Sequence, residues 1–427
     1  CLHLNVWTPE TGPEDQVTKR PVMVFIHGGG NAVGSAVDPL YDGAALARDH
    51  DVVVVTLNYR LAALGFLTHP ALAGESAEGV SGNYATLDQL KALEWVQDNI
   101  AVFGGDPGDV LLFGESAGAV NTCTLVGSPL AAGLFHRAIV QSGGCTHRSL
   151  ASYEDGMSEP WVTASGCAGE ADVPACLRAL PAEQLVAIEP NGYPSVAGFG
   201  QGFGPHVDGY VLPQSAMDAI ESGAHNHVPI IVGANNDETA SSVPPLTEPA
   251  FNALVQATFA IFGMDVVQQI LDLYALDKYG GDPTEAYIAL TSDVKFVCGA
   301  RRIARALAAN QDEPVFRYHF AYDGYTIGMN QTPKAFHGLE LAYIFATFSA
   351  IKIGPFDYVP NADDLEMSAI MQDAWTAHAA VGDPSAGGLT WPEYAGGGDP
   401  HMRLDVPSMA GDGVRTEECD FWDALLP

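Results

Sequence analysis

Short runs of apolar and β-branched residues recur along this chain of 427 residues. Runs of this kind predict strands that are buried on both faces of a sheet. Six of them are PVMVFIH, DVVVVTLNY, DVLLFGE, RAIVQSG, VPIIVGA and PVFRYHF. Amphipathic patterns lie between several of these runs, as in residues 84–100, where apolar residues recur at helical spacing. Alternating strands and helices predict a largely parallel sheet covered by helices, which is an α/β fold.

Two regions depart from this alternation. In residues 149–229 the strand pattern fades and Pro, Gly and aromatic residues accumulate, which predicts loops that cap the sheet and form pocket walls. Residues 248–308 carry apolar residues at helical spacing without a turn cluster typical of a linker. We therefore expect a single domain over residues 1–427, with a helical excursion.

Composition indicates a large core and an acidic surface. Hydrophobic residues make up 47% of the chain, and 18 Lys and Arg against 52 Asp and Glu give a net charge of −34. Such a surface repels phosphate backbones and anionic lipids, so nucleic acid is not an expected partner. The longest apolar stretches are far shorter than the roughly 20 residues of a membrane-spanning helix. Because the chain begins at Cys1, without an initiator Met or signal peptide, we expect a processed or truncated sequence.

The seven cysteines form no CxxC pair, and no His is spaced for zinc, so no metal site is predicted. Cys167 and Cys176 bracket a short loop, and Cys419 lies near the C-terminus. This placement suits one local and one long-range disulfide in an oxidising compartment, secreted or periplasmic. Buried free thiols are the alternative. With an odd number of cysteines, at least one lacks a partner in the chain.

A nucleophile motif follows the third predicted strand. GESAG, residues 114–118, comes directly after DVLLF and leads into a helix start rich in small residues. This is the context of the G-x-S-x-G nucleophile elbow, in which flanking glycines allow a sharp turn that exposes the serine hydroxyl. The motif makes Ser116 the candidate nucleophile.

A second glycine motif, HGGG at residues 27–30, ends the first of the six predicted strands. Successive glycines can turn backbone N–H groups toward a developing oxyanion. Gly29 and Gly30, together with the N–H of Ala117, are the candidate oxyanion donors. A phosphate-binding loop is disfavoured because no GKS or GKT follows.

A serine hydroxyl needs an imidazole base and an acid that orients the imidazole. The predicted strand VPIIVGA leads into NNDETA, which places Asp237 and Glu238 at the carboxyl edge of the sheet. Downstream, His337 lies in a loop before a glycine, whereas other histidines lie within a strand, within a helix or near the C-terminus. His337 is therefore the preferred base, and position alone leaves Asp237 and Glu238 as alternative acids.

The chain resembles the type-B carboxylesterase and cholinesterase family of the α/β-hydrolase fold over essentially its whole length. The matching blocks, in chain order, are CLHLNVWTP, FIHGGG, VTLNYRLAALGFL, GNYATLDQLKALEWVQDNIAVFGGDP, FGESAG, VQSGG, NNDE, HGLELAYIF and CDFW. The resemblance implies Ser116 as nucleophile, Glu238 as acid and His337 as base, with Gly29, Gly30 and Ala117 as oxyanion donors. It implies disulfides Cys167–Cys176 and Cys298–Cys419.

Departures from the family pattern concern the pocket and the N-terminus. Asn31 replaces the usual aromatic residue after the glycines, and Thr239 replaces the common glycine after the acid. The family's segment before the block at Cys1 is missing from this sequence, together with the expected partner of Cys1. The resemblance therefore does not imply choline selectivity.

Further residues follow from the resemblance. Glu115 and Glu340 are similar to the family's inner carboxylates, with structural support as the alternative role. Phe199, Phe203 and Tyr343 are the candidate pocket lining, with core packing as the alternative.

The predicted function is a serine carboxylesterase that hydrolyses small-molecule esters through an acyl-enzyme, without a cofactor. There are two alternative functions. The first is a non-catalytic cholinesterase-like binding protein, and the second is an amide, lactone or thioester hydrolase with the same groups. The sequence leaves monomer and dimer as alternatives.

Overall fold

The computed structural model describes residues 2–9, 19–188, 202–324, 334–353, 356–395 and 397–426. Thirteen strands occur in this part of the chain: β1 (Leu4–Trp7), β2 (Arg20–Ile26), β3 (Val53–Leu57), β4 (Gly105–Glu115), β5 (Arg137–Gln141), β6 (Arg148–Ser149), β7 (His206–Val207), β8 (Ile230–Asn235), β9 (Val315–Phe320), β10 (Lys352–Ile353), β11 (Phe356–Asp357), β12 (Pro400–Leu404) and β13 (Met409–Asp412).

The helices of the same residues are α1 (Ala44–His50), α2 (Ala62–Phe66), α3 (Pro70–Ala73), α4 (Tyr84–Asn99), α5 (Ala117–Gly127), α6 (Leu150–Tyr153), α7 (Glu159–Ser165), α8 (Val173–Ala179), α9 (Ala182–Ala187), α10 (Ala216–Glu221), α11 (Glu248–Phe259), α12 (Met264–Leu273), α13 (Pro283–Ser292), α14 (Cys298–Asn310), α15 (Leu339–Ile344), α16 (Ala362–Val381) and α17 (Thr416–Leu425). A π-helical turn, Asp293–Val297, joins α13 to α14.

Nine of the described strands form one sheet in the order β1-β3-β2-β4-β5-β8-β9-β12-β13. The seven inner strands run parallel, and β1 and β13 pair antiparallel at the two edges. All six strands predicted from apolar runs lie in this sheet. Parallel strands place their carboxyl ends at one edge, so the segments after β2, β4, β5 and β8 lie together there.

Both faces of the sheet are buried, as the strand composition predicts. Along β2, Val22, Val24 and Ile26 enter one core with α4, α5 and α14, whereas Met23 and Phe25 enter the opposite core with α1, α15 and α16. Successive side chains of a strand point to opposite faces, so an uninterrupted apolar run fits a covered sheet. A third cluster packs α11, α12, α13 and α17 together.

The loop prediction for residues 149–229 was wrong in part. This region contains five short helices, α6–α10, and the two-stranded pair of β6 with β7. Their lengths of four to seven residues are too short to produce a helical period. Local chemistry does mark them, because the Ser149 and Asp172 side chains accept N-terminal N–H groups of α6 and α8. The sequence-based reading also missed β12 and β13.

Three disulfides join described cysteines. Two of them, Cys167–Cys176 and Cys298–Cys419, are the pairs that the family resemblance implies. The third, Cys123–Cys145, was not predicted and joins α5 to the segment after β5. Cys1 lies outside the described residues. No helix in the described ranges has the length and apolar character needed to cross a membrane.

The two family-type disulfides should contribute unequally to stability. Their sequence separations are 121 residues for Cys298–Cys419 and 9 for Cys167–Cys176. Loop-closure entropy assigns about 5 kcal/mol to the long loop and about 3 kcal/mol to the short one. We expect Cys298→Ala/Cys419→Ala to lower the free energy of unfolding by more than Cys167→Ala/Cys176→Ala, as measured by urea unfolding. Equal losses would contradict an effect of loop length.

Candidate active site

Ser116 occupies a strained turn between β4 and α5. Strand β4 ends at Glu115 and α5 begins at Ala117, so one residue makes the reversal, with φ 59° and ψ −123°. The turn depends on glycine, since a Cβ built on Gly118 would lie 2.0 Å from the carbonyl oxygen of Ile26. This close approach seats the first turn of α5 against the end of β2. A positive φ at a serine stores strain of about 1–3 kcal/mol, which such packing maintains.

The glycine loop after β2 lies beside this turn. A Cβ built on Gly28 would lie 3.0 Å from the Ser116 Cβ, and Gly29 and Gly30 follow at φ 99° and 63°, both exposed. The N–H groups of Gly29, Gly30 and Ala117 have no hydrogen-bond acceptor among the described residues. Free N–H groups next to a helix N-terminus favour negative charge, so the glycine loop and the start of α5 can together stabilise an anion.

Glu238 and His337 meet at the same edge of the sheet. The Nδ1 of His337 donates to Oε2 of Glu238 at 2.6 Å, and the backbone N–H of His337 donates to the Glu238 carbonyl at 3.0 Å. The Glu238 carboxylate is buried, whereas 28% of the His337 side chain is exposed. The Glu238 carboxylate therefore binds Nδ1 of the imidazole, and Nε2 is directed away from Glu238.

Two further donors bind the other oxygen of Glu238. The Ser142 hydroxyl donates to Oε1 at 2.5 Å, and the Asn235 backbone N–H donates to it at 2.7 Å. These donors come from the carboxyl ends of β5 and β8. A buried carboxylate with three donors is satisfied and fixed in orientation.

Two more buried carboxylates lie around the imidazole. Oε1 of Glu115 lies 3.1 Å from Nε2 of His337. The Glu340 carboxylate accepts hydrogen bonds from the Gln141 side chain at 3.2 Å and from the Asn235 side chain at 2.5 Å. In the described part of the chain, the Ser116 hydroxyl makes no hydrogen bond with His337, whose Nε2 faces Glu115.

The carboxylates raise one another's pKa and that of the imidazole. Burial raises the pKa of Glu115 to about 8, with the carboxylates of Glu340 and Glu238 adding to the rise against the imidazole's opposing effect. Burial and Glu238 likewise raise the pKa of Glu340 to about 7. Burial lowers the pKa of His337, but Glu115 and Glu238 outweigh it and raise that pKa to about 10. The cluster thus retains protons at neutral pH.

The alternative acid and bases lie away from this cluster. Asp237 faces Lys334 at 3.8 Å instead of the imidazole. His319 is buried against Asn236, His378 lies beside the Ala138 carbonyl, and His401 lies beside the Asp399 carbonyl. Of the described histidines, His337 is the one bonded to Glu238.

The residues that depart from the family pattern are both buried. Asn31 has φ 56° and accepts from the Asn121 side chain at 2.9 Å, so it anchors the glycine loop to α5. The Thr239 hydroxyl lies 2.6 Å from that of Thr291 and links the acid loop to α13.

The three candidate pocket residues have different positions. Phe199 lies outside the described residues. Phe203 is nearly buried, between Gly202 and Gly204, which approach the glycine loop. Tyr343 does not line a pocket, because its side chain is fully buried and its hydroxyl donates to Asp364 at 3.1 Å. For Tyr343 the structure favours the alternative reading, core packing.

Sequence reasoning did not select Ser142, Asn235 or Phe296. The VQSGG and NNDE blocks contain the first two, and their position after adjacent parallel strands was an available signal. Phe296 lies in the π-helical turn, with its ring 4.9 Å from that of His337. Nothing in the local pattern of residues 293–297 indicates this contact, which depends on tertiary packing.

Known proteins that are similar to this chain are esterases. The sequence model of the Carboxylesterase family matches residues 1–422. The chain belongs to this family. A fumonisin B1 esterase from Sphingopyxis macrogoltabida is 37% identical over 97% of this chain and 74% of its own length. A para-nitrobenzyl esterase from Bacillus subtilis (strain 168) is 33% identical over 92% of this chain and 76% of its own. A solved PNB esterase structure superposes with a TM-score of 0.82 at 29% identity, over 99% of this chain and 85% of that one.

Family membership confirms the α/β-hydrolase fold and identifies the chain as a carboxylic ester hydrolase. The family implies a serine-hydrolase mechanism. The relatives also include a carboxylesterase 5A from Canis lupus familiaris, which is 33% identical over 100% of this chain and 74% of its own length.

The raised pKa of Glu115 should make stability fall as pH rises. The ordinary pKa of this carboxyl is 4.5, and in the folded chain it is about 8. Between these values the unfolded chain loses a proton that the folded chain keeps, so the free energy of unfolding decreases by up to about 1.4 kcal/mol per pH unit. We expect Glu115→Gln to flatten this decrease, as measured by urea unfolding from pH 5 to 8. Exposed Glu75→Gln is the control, and profiles parallel to wild type in both variants would refute the assignment.

Proposed function

We propose that Ser116, His337 and Glu238 form the catalytic triad of this ester hydrolase. The observation that carries the proposal is the 2.6 Å hydrogen bond from His337 to a buried, fully bonded Glu238, at the edge of the sheet where the Ser116 turn lies. An acid in this position selects the tautomer with the proton on Nδ1 and leaves Nε2 to act as base. We also propose that residues 1–427 form one domain.

In the first step Nε2 must accept the proton of the Ser116 hydroxyl. Nε2 faces Glu115 in the free chain, so the imidazole has to exchange this carboxylate for the serine. Exchange of this kind fits the common finding that catalytic hydrogen bonds tighten only when substrate binds. When Glu115 is ionised, it stabilises the imidazolium that forms, because it is then a buried carboxylate next to the cation.

Attack by Ser116 on the ester carbonyl produces a tetrahedral oxyanion. The N–H groups of Gly29, Gly30 and Ala117 are its proposed donors, supported by their lack of an acceptor among the residues that the structure describes. The imidazolium next protonates the departing alcohol, leaving an acyl-enzyme on Ser116. A water molecule, activated by His337 in the same way, releases the carboxylic acid and restores the serine.

We also propose an extracytoplasmic location, secreted or periplasmic. Three disulfides support it, because cytosolic reductants keep most intracellular thiols reduced.

Replacement of the nucleophile tests the triad directly. We expect Ser116→Ala to lower kcat for p-nitrophenyl esters by roughly 10⁶-fold and to abolish labelling by a fluorophosphonate probe, measured by intact mass. Ser152→Ala, at an exposed serine, should keep both properties. Near-normal turnover by a purified Ser116→Ala protein would show that another residue is the nucleophile.

The pH profile tests the role of Glu115. His337 must be neutral to act as base, so the acid limb of kcat/KM follows its raised pKa. Removing the Glu115 charge removes the largest contribution that raises this pKa. We expect Glu115→Gln to move the acid limb to lower pH, with Glu75→Gln unchanged. An unmoved limb would mean that Glu115 does not interact with the base during turnover.

A further inference from the structure

Arg148 is an exception among the arginines of this acidic chain. Ten of the twelve arginines lie within salt-bridge distance of a carboxylate. Among the described residues, Arg148 and Arg317 have no such partner. Arg317 is fully buried in β9, near the charge of Asp399. With nearly three acids for every base, a cation without a carboxylate calls for a different explanation.

The guanidinium of Arg148 is held in place by uncharged groups. It stacks on the ring of Tyr153, with 4.6 Å from its Cζ to the ring centroid. Its Nη2 donates to the Gly202 carbonyl at 2.8 Å. Burial lowers the pKa of Arg148, but an arginine remains a cation at neutral pH. A guanidinium has five N–H donors, so most of them have no acceptor in the described part of the chain.

One backbone segment contacts both this cation and the loop of the proposed oxyanion site. Gly202, which Arg148 binds, approaches the glycine loop, since a Cβ built on it would lie 4.0 Å from the Gly30 carbonyl oxygen. Gly204 approaches the same loop, with its built Cβ 3.3 Å from Nδ2 of Asn31. The segment that carries Phe203 therefore lies between the arginine and the loop.

The backbone that carries Arg148 is rigidly attached to the nucleophile helix. The chain leaves Gly143, whose built Cβ would lie 3.0 Å from the Ser116 carbonyl oxygen, and reaches Arg148 five residues later. Between them, Cys145 is bonded to Cys123 of α5, and His147 lies 2.9 Å from Thr124 of the same helix. Arg148 then pairs with His206 in β6 and β7. Its position relative to Ser116 is thus fixed by covalent and hydrogen bonds.

We propose that Arg148 binds a carboxylate of the substrate, so that the enzyme acts on esters with a free carboxylate near the scissile bond. This inference rests on the proposed function, because the ester that Arg148 would bind is cleaved by the triad named there. A guanidinium binds a carboxylate through two parallel N–H···O bonds, which gives both affinity and orientation. The net charge of −34 repels anionic ligands in general, so a local cation provides the selective attraction that such a substrate needs.

The test compares esters with and without a free carboxylate. The acyl arm uses mono-p-nitrophenyl glutarate against p-nitrophenyl valerate, and the alcohol arm uses 4-(valeryloxy)benzoate against phenyl valerate. We expect Arg148→Gln to lower kcat/KM for the anionic ester of at least one arm by about 10- to 100-fold, and for its neutral partner by less than about 2-fold. Arg148→Lys, which keeps the charge without the planar fork, should retain an intermediate value. The arm that responds identifies which side of the ester faces Arg148.

The control is Arg178→Gln, which removes an exposed arginine paired with Glu75 and should leave all four rates unchanged. A merely structural role for Arg148 would lower the rates of anionic and neutral esters equally, and this result would overturn the inference. Equal rates of wild type and Arg148→Gln on both anionic esters would overturn it too. In either case, hydrolysis of neutral esters by wild type would leave the proposed function standing. Failure of wild type on all four esters would instead remove the proposed function itself.

Discussion

The candidate site depends on the hydrogen bonds that the buried carboxylate of Glu238 accepts. An ionised carboxylate in the interior needs donors on both oxygens, or its desolvation costs several kcal/mol. Its donors come from the ends of two strands, through Ser142 and Asn235, and from the loop of His337. Satisfying one charge therefore brings three segments, distant in sequence, into one arrangement. The parallel sheet makes this possible because it delivers those strand ends to the same edge.

The nucleophile is joined to this arrangement through the main chain. Ser116 donates its backbone N–H to the Gln141 carbonyl at 2.9 Å, next to Ser142, which binds the acid. The disulfide Cys123–Cys145 ties the helix after Ser116 to the same connection. The nucleophile turn and the support of the acid are thus parts of one cross-linked unit. Rigid positioning of this kind reduces the reorganisation needed at the moment of reaction.

Sequence patterns predicted the parts of the molecule that depend on local order. Apolar runs located six inner strands, and the helical period of residues 84–100 located α4. The elbow and glycine motifs needed no tertiary information, because strained turns impose their own residue types. Tyr343 shows the limit, since an aromatic residue beside a site motif is compatible with both pocket and core, and only the buried Asp364 decides it. Phe296 shows the same limit from the other side, because its contact with His337 joins positions 41 residues apart, which local periodicity does not encode.

The carboxylates around His337 determine how the imidazole can act as a base. Glu115, Glu238 and Glu340 surround one imidazole, and three buried negative charges with a single cation would repel one another strongly. Burial and the neighbouring carboxylates raise the pKa values of Glu115 and Glu340, so the cluster avoids this repulsion by keeping protons. A base in such surroundings binds a proton tightly, and this favours removal of the serine proton once the imidazole is neutral. The same field stabilises the imidazolium as charge develops on the ester oxygen, where the backbone N–H groups of the glycine loop lie. The carboxylates thus face the imidazolium, and the N–H groups face the oxyanion. A site with an excess of carboxylates can therefore still stabilise an anionic transition state.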